Sequence, residues 1–365
     1  MINLKSINRY VIKEYCKSLL VVLAVMVAVI FIINLLDEFS YFKSKPDLKF
    51  FTFILMTFLK IPNLCINIFP FITLFGGIFY YLKIYNFNEI VSLRVAGYSN
   101  IQVIMLPALT SLIIGYVVIF FFVPLSSSSL KIYEEIRSKY NDTKNLVFVN
   151  ETGIWILDRT ENEKNIIRVE NMSKNFKSFN KITIYIYDNN NNFIKRIDSE
   201  KGSVDNKKWE LEKTTIVSAN KRVKENFLSK YVYDSGFKID DIKNYYKNTD
   251  TNSLFDIQNE INVLKDKGYS PVDLRIRYQK LMSFPVYLLT MSILSGLMII
   301  NLGKTSNYIK YGVYGIVISV ILYFLNDLSI TIAKSGIISV DLSVWIPIFL
   351  ITLINLVGIT QVNAK

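Results

Sequence analysis

Six apolar runs long enough to cross a bilayer, split three and three by one long polar interval, constrain this chain more than any other feature it has. About 30 Å of hydrocarbon needs about 20 apolar residues in a helix. Residues 19–36, broken only by Asn34, qualify, as do 51–82, with Pro62, Pro70 and Gly76-Gly77 inside, and 101–123, closed by Pro124. Residues 281–302, 312–332 and 344–362 follow the interval, separated by short loops. With 51% of 365 residues apolar and a mean hydropathy of +0.31, the chain reads as a multi-pass membrane protein with one polar region.

Lys5, Arg9, Lys13 and Lys17 precede the first run and hold the N-terminus in the cytoplasm. Asp37-Glu38-Phe39 offers no small-residue cleavage site, so the run is a span and not a removable signal. Counting spans then places residues 83–102 and the C-terminus inside, and the polar interval outside. The short inside loops carry Lys83, Arg94, Lys304, Lys310 and Lys365 besides the N-terminal four, against Lys43, Lys45, Lys49 and Lys334 outside. Arg275, Arg277 and Lys280, at the outer approach to span four, run against that bias.

Within the polar interval the periodicity changes from helical to alternating. Ile182, Ile184 and Ile186 alternate with Thr183, Tyr185 and Tyr187, and Asp188 with the four asparagines after it supplies a turn before 193–197, which predicts a hairpin. Residues 153–158, 166–169, 207–217 and 227–232 add short strands, giving an antiparallel β domain of sandwich or jelly-roll type. A helix over 253–267 closes it, stopped by Gly268 and Pro271. The division expected is 1–125 for spans one to three, 126–273 for the β domain and 274–365 for spans four to six.

Between spans two and three, Asn88 is placed to cap a helical turn, Glu89 suits its positive end, and Gly97 is a stop. This predicts a helix of about two turns within 86–97. Phe87, Ile90, Val91 and Val95 fall at helical spacing, which lays the helix on the membrane surface with Glu89 and Ser92 turned away from lipid.

Several classes of chemistry are disfavoured. There is no histidine, so the usual proton shuttle and commonest metal ligand are missing. Cys16 and Cys65 have no disulfide or zinc spacing. The net charge of +12 is scattered among acids and asparagines without a basic helix or stacking motif, which argues against nucleic acid. Gly303-Lys304-Thr305 ends like a phosphate-binding loop, but Met298 stands where that motif needs glycine, so energy must come from a partner. No catalytic residue, metal or cofactor is expected. The alternative is a membrane-embedded enzyme acting on envelope lipids or peptides, which would have to work with carboxylates such as Asp37, Glu38 and Asp327.

The run Asn88-Glu89-Ile90-Val91-Ser92-Leu93-Arg94-Val95-Ala96-Gly97, with Tyr323-Phe324-Leu325-Asn326-Asp327 in span five and Lys334-Ser335-Gly336-Ile337-Ile338 before Trp345-Ile346-Pro347, resembles the LptF/LptG permeases of lipopolysaccharide export, on the LptG side of the pair. The resemblance covers nearly the whole chain. It implies an inner-membrane permease subunit of an ABC transporter, paired with a homologous permease, driven by a cytoplasmic LptB-like ATPase dimer and handing lipopolysaccharide to periplasmic bridge β-jellyroll proteins. It assigns ATPase docking to Asn88, Glu89, Ser92, Leu93, Arg94 and Gly97. Where the family places basic residues at the outer end of span one, this chain has Asn34-Leu35-Leu36-Asp37-Glu38, which leaves Lys43, Lys45 and Lys60 as candidates for lipid phosphates.

Without the resemblance, Glu89 is an ordinary solvated charge on a surface helix. Asp327 lies inside a span, where a charge costs at least about 2.5 kcal/mol, so it must face protein, water or a polar ligand, and Lys60 poses the same problem. Phe50, Phe51, Phe53, Phe58, Phe69, Phe71 and Phe75 suit a cavity for acyl chains or plain lipid contact equally.

Overall fold

The computed structural model describes residues 4–41, 50–140, 146–150, 153–159, 163–172, 178–188, 192–205, 208–218, 225–235, 249–251, 254–266, 271–302 and 308–363. Lys43, Lys45 and the Gly303-Lys304-Thr305 tripeptide lie outside these described residues. The chain falls into two compact units, one of Met1–Tyr133, Asp250–Leu254 and Arg275–Lys365, the other of Glu134–Thr249 and Phe255–Leu274.

The first unit is helical. Its elements are α1 (Leu4–Tyr41), α2 (Phe50–Asn86), α3 (Glu89–Val95), α4 (Asn100–Val117) and, after the β domain, α7 (Val272–Leu302), α8 (Tyr308–Lys334) and α9 (Val340–Asn363). A π-turn, Val118–Phe122, joins α4 to α5 (Val123–Tyr140), and among the described residues six helical segments long and apolar enough to cross a membrane follow the six apolar runs. The helix does not stop at Pro124: the wider turn just upstream absorbs the loss of its N–H, and α5 runs on to Tyr140. Span three starts on a capping box the spacing did not suggest, in which the Gln102 amide donates to Ser99 Oγ at 3.2 Å and the Ser99 amide donates to Gln102 Oε1 at 2.9 Å.

Close backbone approach holds the bundle together. A Cβ on Gly76 would come within 2.5 Å of the Leu19 side chain, and one on Gly77 within 2.0 Å of Ser295 Oγ. The glycine pair therefore seats α2 against both α1 and α7. Tyr15, fully buried, lies 2.6 Å from Ser111 Oγ and donates to Ser292 Oγ at 2.9 Å, which satisfies its hydroxyl inside an apolar cluster. Asn34 sits in its apolar run without an orphaned donor, because its amide donates to the Ile30 carbonyl at 2.9 Å. Arg275 and Arg277 are each answered by an acid, Asp341 at 3.3 Å and Asp250 at 2.7 Å.

The second unit carries a seven-stranded antiparallel sheet: β1 (Leu146–Asn150), β2 (Gly153–Arg159), β3 (Glu163–Met172), β4 (Ser178–Asp188), β5 (Phe193–Asp205), β6 (Lys208–Ser218) and β7 (Glu225–Asp234), with α6 (Leu254–Asp266) after it. The strands pair in consecutive order, a meander. The hairpin expected around the asparagines is β4–β5, where Ile184 faces Ile197 and Asp188 Oδ1 accepts from the Asn192 amide at 2.7 Å. Alternation works as expected: Ile154, Ile167, Ile184, Ile197 and Trp209 lie on one fully buried face. Phe179 of β4 stacks on Trp209 of β6 at 5.0 Å across the intervening β5, where Gly202 leaves room for the side chains of Ile182 and Leu211. One face of the sheet is thus a buried apolar surface, as expected of an antiparallel β domain inserted between spans three and four.

Candidate functional site: the helix between spans two and three

The seven residues of α3 are bounded by two left-handed backbone positions. Asn88 takes φ 56° and makes no side-chain cap, so the capping role expected of it is not the one it has. Asparagine tolerates this conformation better than most residues, and its carbonyl still accepts from the Val91 amide at 3.1 Å. At the other end Gly97 takes φ 93°, its amide donating to Arg94 O at 2.9 Å while the Tyr98 amide donates to Leu93 O at 3.0 Å. This paired pattern is a Schellman stop, and the Tyr98–Leu93 apolar contact that accompanies such stops belongs to the bundle core.

The apolar residues of α3 divide between two faces rather than forming one membrane-facing stripe. Ile90 and Leu93 are 6% and 8% exposed and pack into the bundle with Val11 and Tyr81, whereas Phe87, Val91 and Val95 are 68%, 56% and 81% exposed. Ile90 is thus an anchor, not a lipid contact, and Leu93 is turned inward with it. The outward face carries Phe87, Val91 and Val95 beside Ser92 and Arg94, whose Nε donates to Asn100 Oδ1 at 2.9 Å. Glu89 is half-buried, and its Oε1 accepts from the Tyr10 hydroxyl of α1 at 3.0 Å.

The remaining site candidates are dispersed. Lys60 Nζ of α2 lies 3.6 Å from Glu38 Oε1 of α1, a buried carboxylate that also accepts from the Tyr133 hydroxyl at 2.6 Å. Lys60 is therefore paired within the bundle. Asp327 is exposed on α8, with no ion pair among the described residues, in an apolar recess of about 540 Å³ lined by Val320, Ile321, Phe324 and Leu328. The phenylalanine stripe splits: Phe50, Phe51 and Phe58 are exposed, while Phe53 is buried against Phe39. Among the described residues no three Cys, Asp or Glu side chains come together as metal ligands would.

The spans differ sharply in how far the rest of the chain covers them. Span four has 78% of its most apolar stretch buried, span five 22% and span one 11%. Two apolar helices are thus left open toward whatever surrounds this chain.

The family model for the lipopolysaccharide export system permease LptF/LptG matches residues 9–361, all six spans and the inserted β domain. The chain belongs to the LptF/LptG family. Among curated proteins no match was found. As an LptF/LptG permease it is a multi-pass inner-membrane protein of lipopolysaccharide export, a transporter subunit and not an enzyme. The match is to the two paralogues jointly.

In this LptF/LptG chain the position of α3 is marked in the local sequence, but what α3 is tied to is not. Tyr10 and Glu89 are 79 positions apart, and nothing in either local pattern announces the pair. The same holds for Glu14, whose carboxylate accepts from Lys17 Nζ at 2.8 Å and from Lys83 Nζ at 2.6 Å. The one hint was spacing: Tyr10, Glu14 and Lys17 recur every three or four residues, so they share a helical face.

Proposed function

We propose that α3 is the docking element through which a separate cytoplasmic ATPase drives this permease. The observation that carries this reading is the division of α3 into an anchored face, Ile90 and Leu93, and an outward face on which Phe87, Val91 and Val95 stand among Ser92, Arg94, Asn88 and the half-buried Glu89. Exposed large apolar side chains beside charges, on a rigidly stopped short helix, suit insertion into a groove on a partner protein. In this reading α3 and both termini are cytoplasmic and the β domain periplasmic, as the span count and the basic N-terminus favour.

Lipopolysaccharide then enters between span one of this subunit and span five of a homologous permease, a reading supported by the low coverage of span one and span five in this chain. Withdrawing acyl chains from a bilayer re-exposes apolar area at about 0.8 kcal/mol per CH₂, so an apolar receiving surface is needed. Closure of the ATPase dimer narrows that cavity and passes the lipid to the β domain and on to bridge β-jellyroll proteins. The test is capture of the co-expressed ATPase by the tagged permease. Val91→Asp with Val95→Asp, and separately Glu89→Lys, should abolish capture while membrane insertion persists. Undiminished capture by both variants overturns the reading.

A further inference from the structure

The base of α1 is stitched to the chain before, within and after α3. Glu14 accepts from Lys83 in the last turn of α2 at 2.6 Å, Tyr10 donates to Glu89 at the first position of α3 at 3.0 Å, and Asn8 accepts from the hydroxyl of Tyr98, just past the Schellman stop. The order is antiparallel: positions 14, 10 and 8 of α1 meet 83, 89 and 98 in turn. Ile7 and Val11 fill the spaces between these links and pack in the same apolar cluster as Ile90 and Leu93. Displacing residues 83–98 together, without carrying the first three turns of α1, would break all three polar links and open that cluster. Farther along, the most apolar stretch of α1 is the least covered of the six spans, although Leu19 packs on Gly76 and Glu38 meets Lys60 and Tyr133 along its length.

We propose that Asn8, Tyr10 and Glu14 are transmission residues, through which movement of α3 and its flanking residues is delivered to span one. The proposal rests on the docking role of α3 but makes a separate claim: binding of the ATPase and movement of the lipid are joined at the base of α1. None of the three residues contacts lipid or nucleotide in this scheme; each is a positioning residue. Tyr10→Phe combined with Asn8→Ala removes two of the three links and leaves the outward face of α3 intact.

The measurement is lipopolysaccharide moved per ATP hydrolysed, in proteoliposomes holding the complete complex. Expected for the double variant is normal ATPase capture, with lipid moved per ATP reduced at least about fivefold, the lower end of the range for coupling between sites. An unchanged ratio overturns the proposal, and so does loss of capture, which would make these residues supports of α3 rather than transmitters. A second measurement does not depend on the double variant folding. With Asn8→Cys and Tyr98→Cys crosslinked, transport should persist, because the two positions travel as one body. Transport that stops on crosslinking and returns on reduction overturns the proposal. Failure of the docking reading has a different signature, namely ATPase capture that survives the Val91 and Val95 substitutions.

Discussion

Lys60 of α2 and Glu38 of α1 face each other at 3.6 Å, with the Tyr133 hydroxyl completing the carboxylate's coordination at 2.6 Å. Glu38 belongs to the acidic stretch Asp37-Glu38 at the end of the first apolar run, and this chain uses it to bind its own lysine. Removing one member of a buried pair leaves an uncompensated charge, which costs about 3–5 kcal/mol. Lys60→Met should therefore lower the unfolding midpoint in detergent markedly, and adding Glu38→Gln should recover most of the loss. Tyr133→Phe should cost less, about 1–3 kcal/mol, as for one hydrogen bond to a buried group.

Gly77 leaves no room for a side chain, since its Cβ would fall 2.0 Å from Ser295 Oγ, a hydroxyl already donating to Ser292 O at 2.7 Å. Gly77→Val should cost about 1–3 kcal/mol by forcing α2 and α7 apart. Gly77→Ala with Ser295→Gly should be tolerated much better than Gly77→Ala alone. Yield of folded protein in detergent, with thermal unfolding, separates the three.

Gly202 plays the corresponding part in the β domain, where a Cβ would meet Ile182 Cδ1 at 2.5 Å and Leu211 Cδ2 at 2.9 Å. Gly202→Val should destabilise that domain by about 1–3 kcal/mol, while the same change at Gly312, where an added Cβ meets nothing within 4 Å, should leave fold stability almost unaltered. Limited proteolysis of the β domain in the intact protein reads out the difference.

Asp327 carries no ion pair among the described residues and stands exposed on an apolar face of α8. Asp327→Asn should therefore change the stability of the isolated subunit by no more than about 0.5 kcal/mol. A charge inside a span requires a polar surrounding, which the nearby charge of Lys280 on α7 supplies in part. Transport by the assembled permease should fall with stability unchanged where the carboxylate also meets a group outside this chain. Stability that drops together with transport would instead place its partner inside this chain.

The parts legible in the sequence are those governed by one dominant period or length. Spans announce themselves by apolar runs, and β2 to β7 by alternation, because each face meets a single environment. The inward face of α3 was not legible: apolar residues at 87, 90, 91, 93 and 95 encircle much of so short a helix, and only contact with the bundle selects Ile90 and Leu93. Pro124 misleads because its effect depends on the turn before it, and β1 escapes because Leu146–Asn150 is too short to display a period. The links from Asn8, Tyr10 and Glu14 join residues 69 to 90 positions apart, a distance at which local pattern is silent.

Because every strand of the meander hydrogen-bonds only to its immediate predecessor and successor, the module can be zipped up in the order in which it is synthesised. Each new strand finds its template already laid down. A segment inserted between two groups of apolar helices thus never has to wait for distant sequence before it becomes protected.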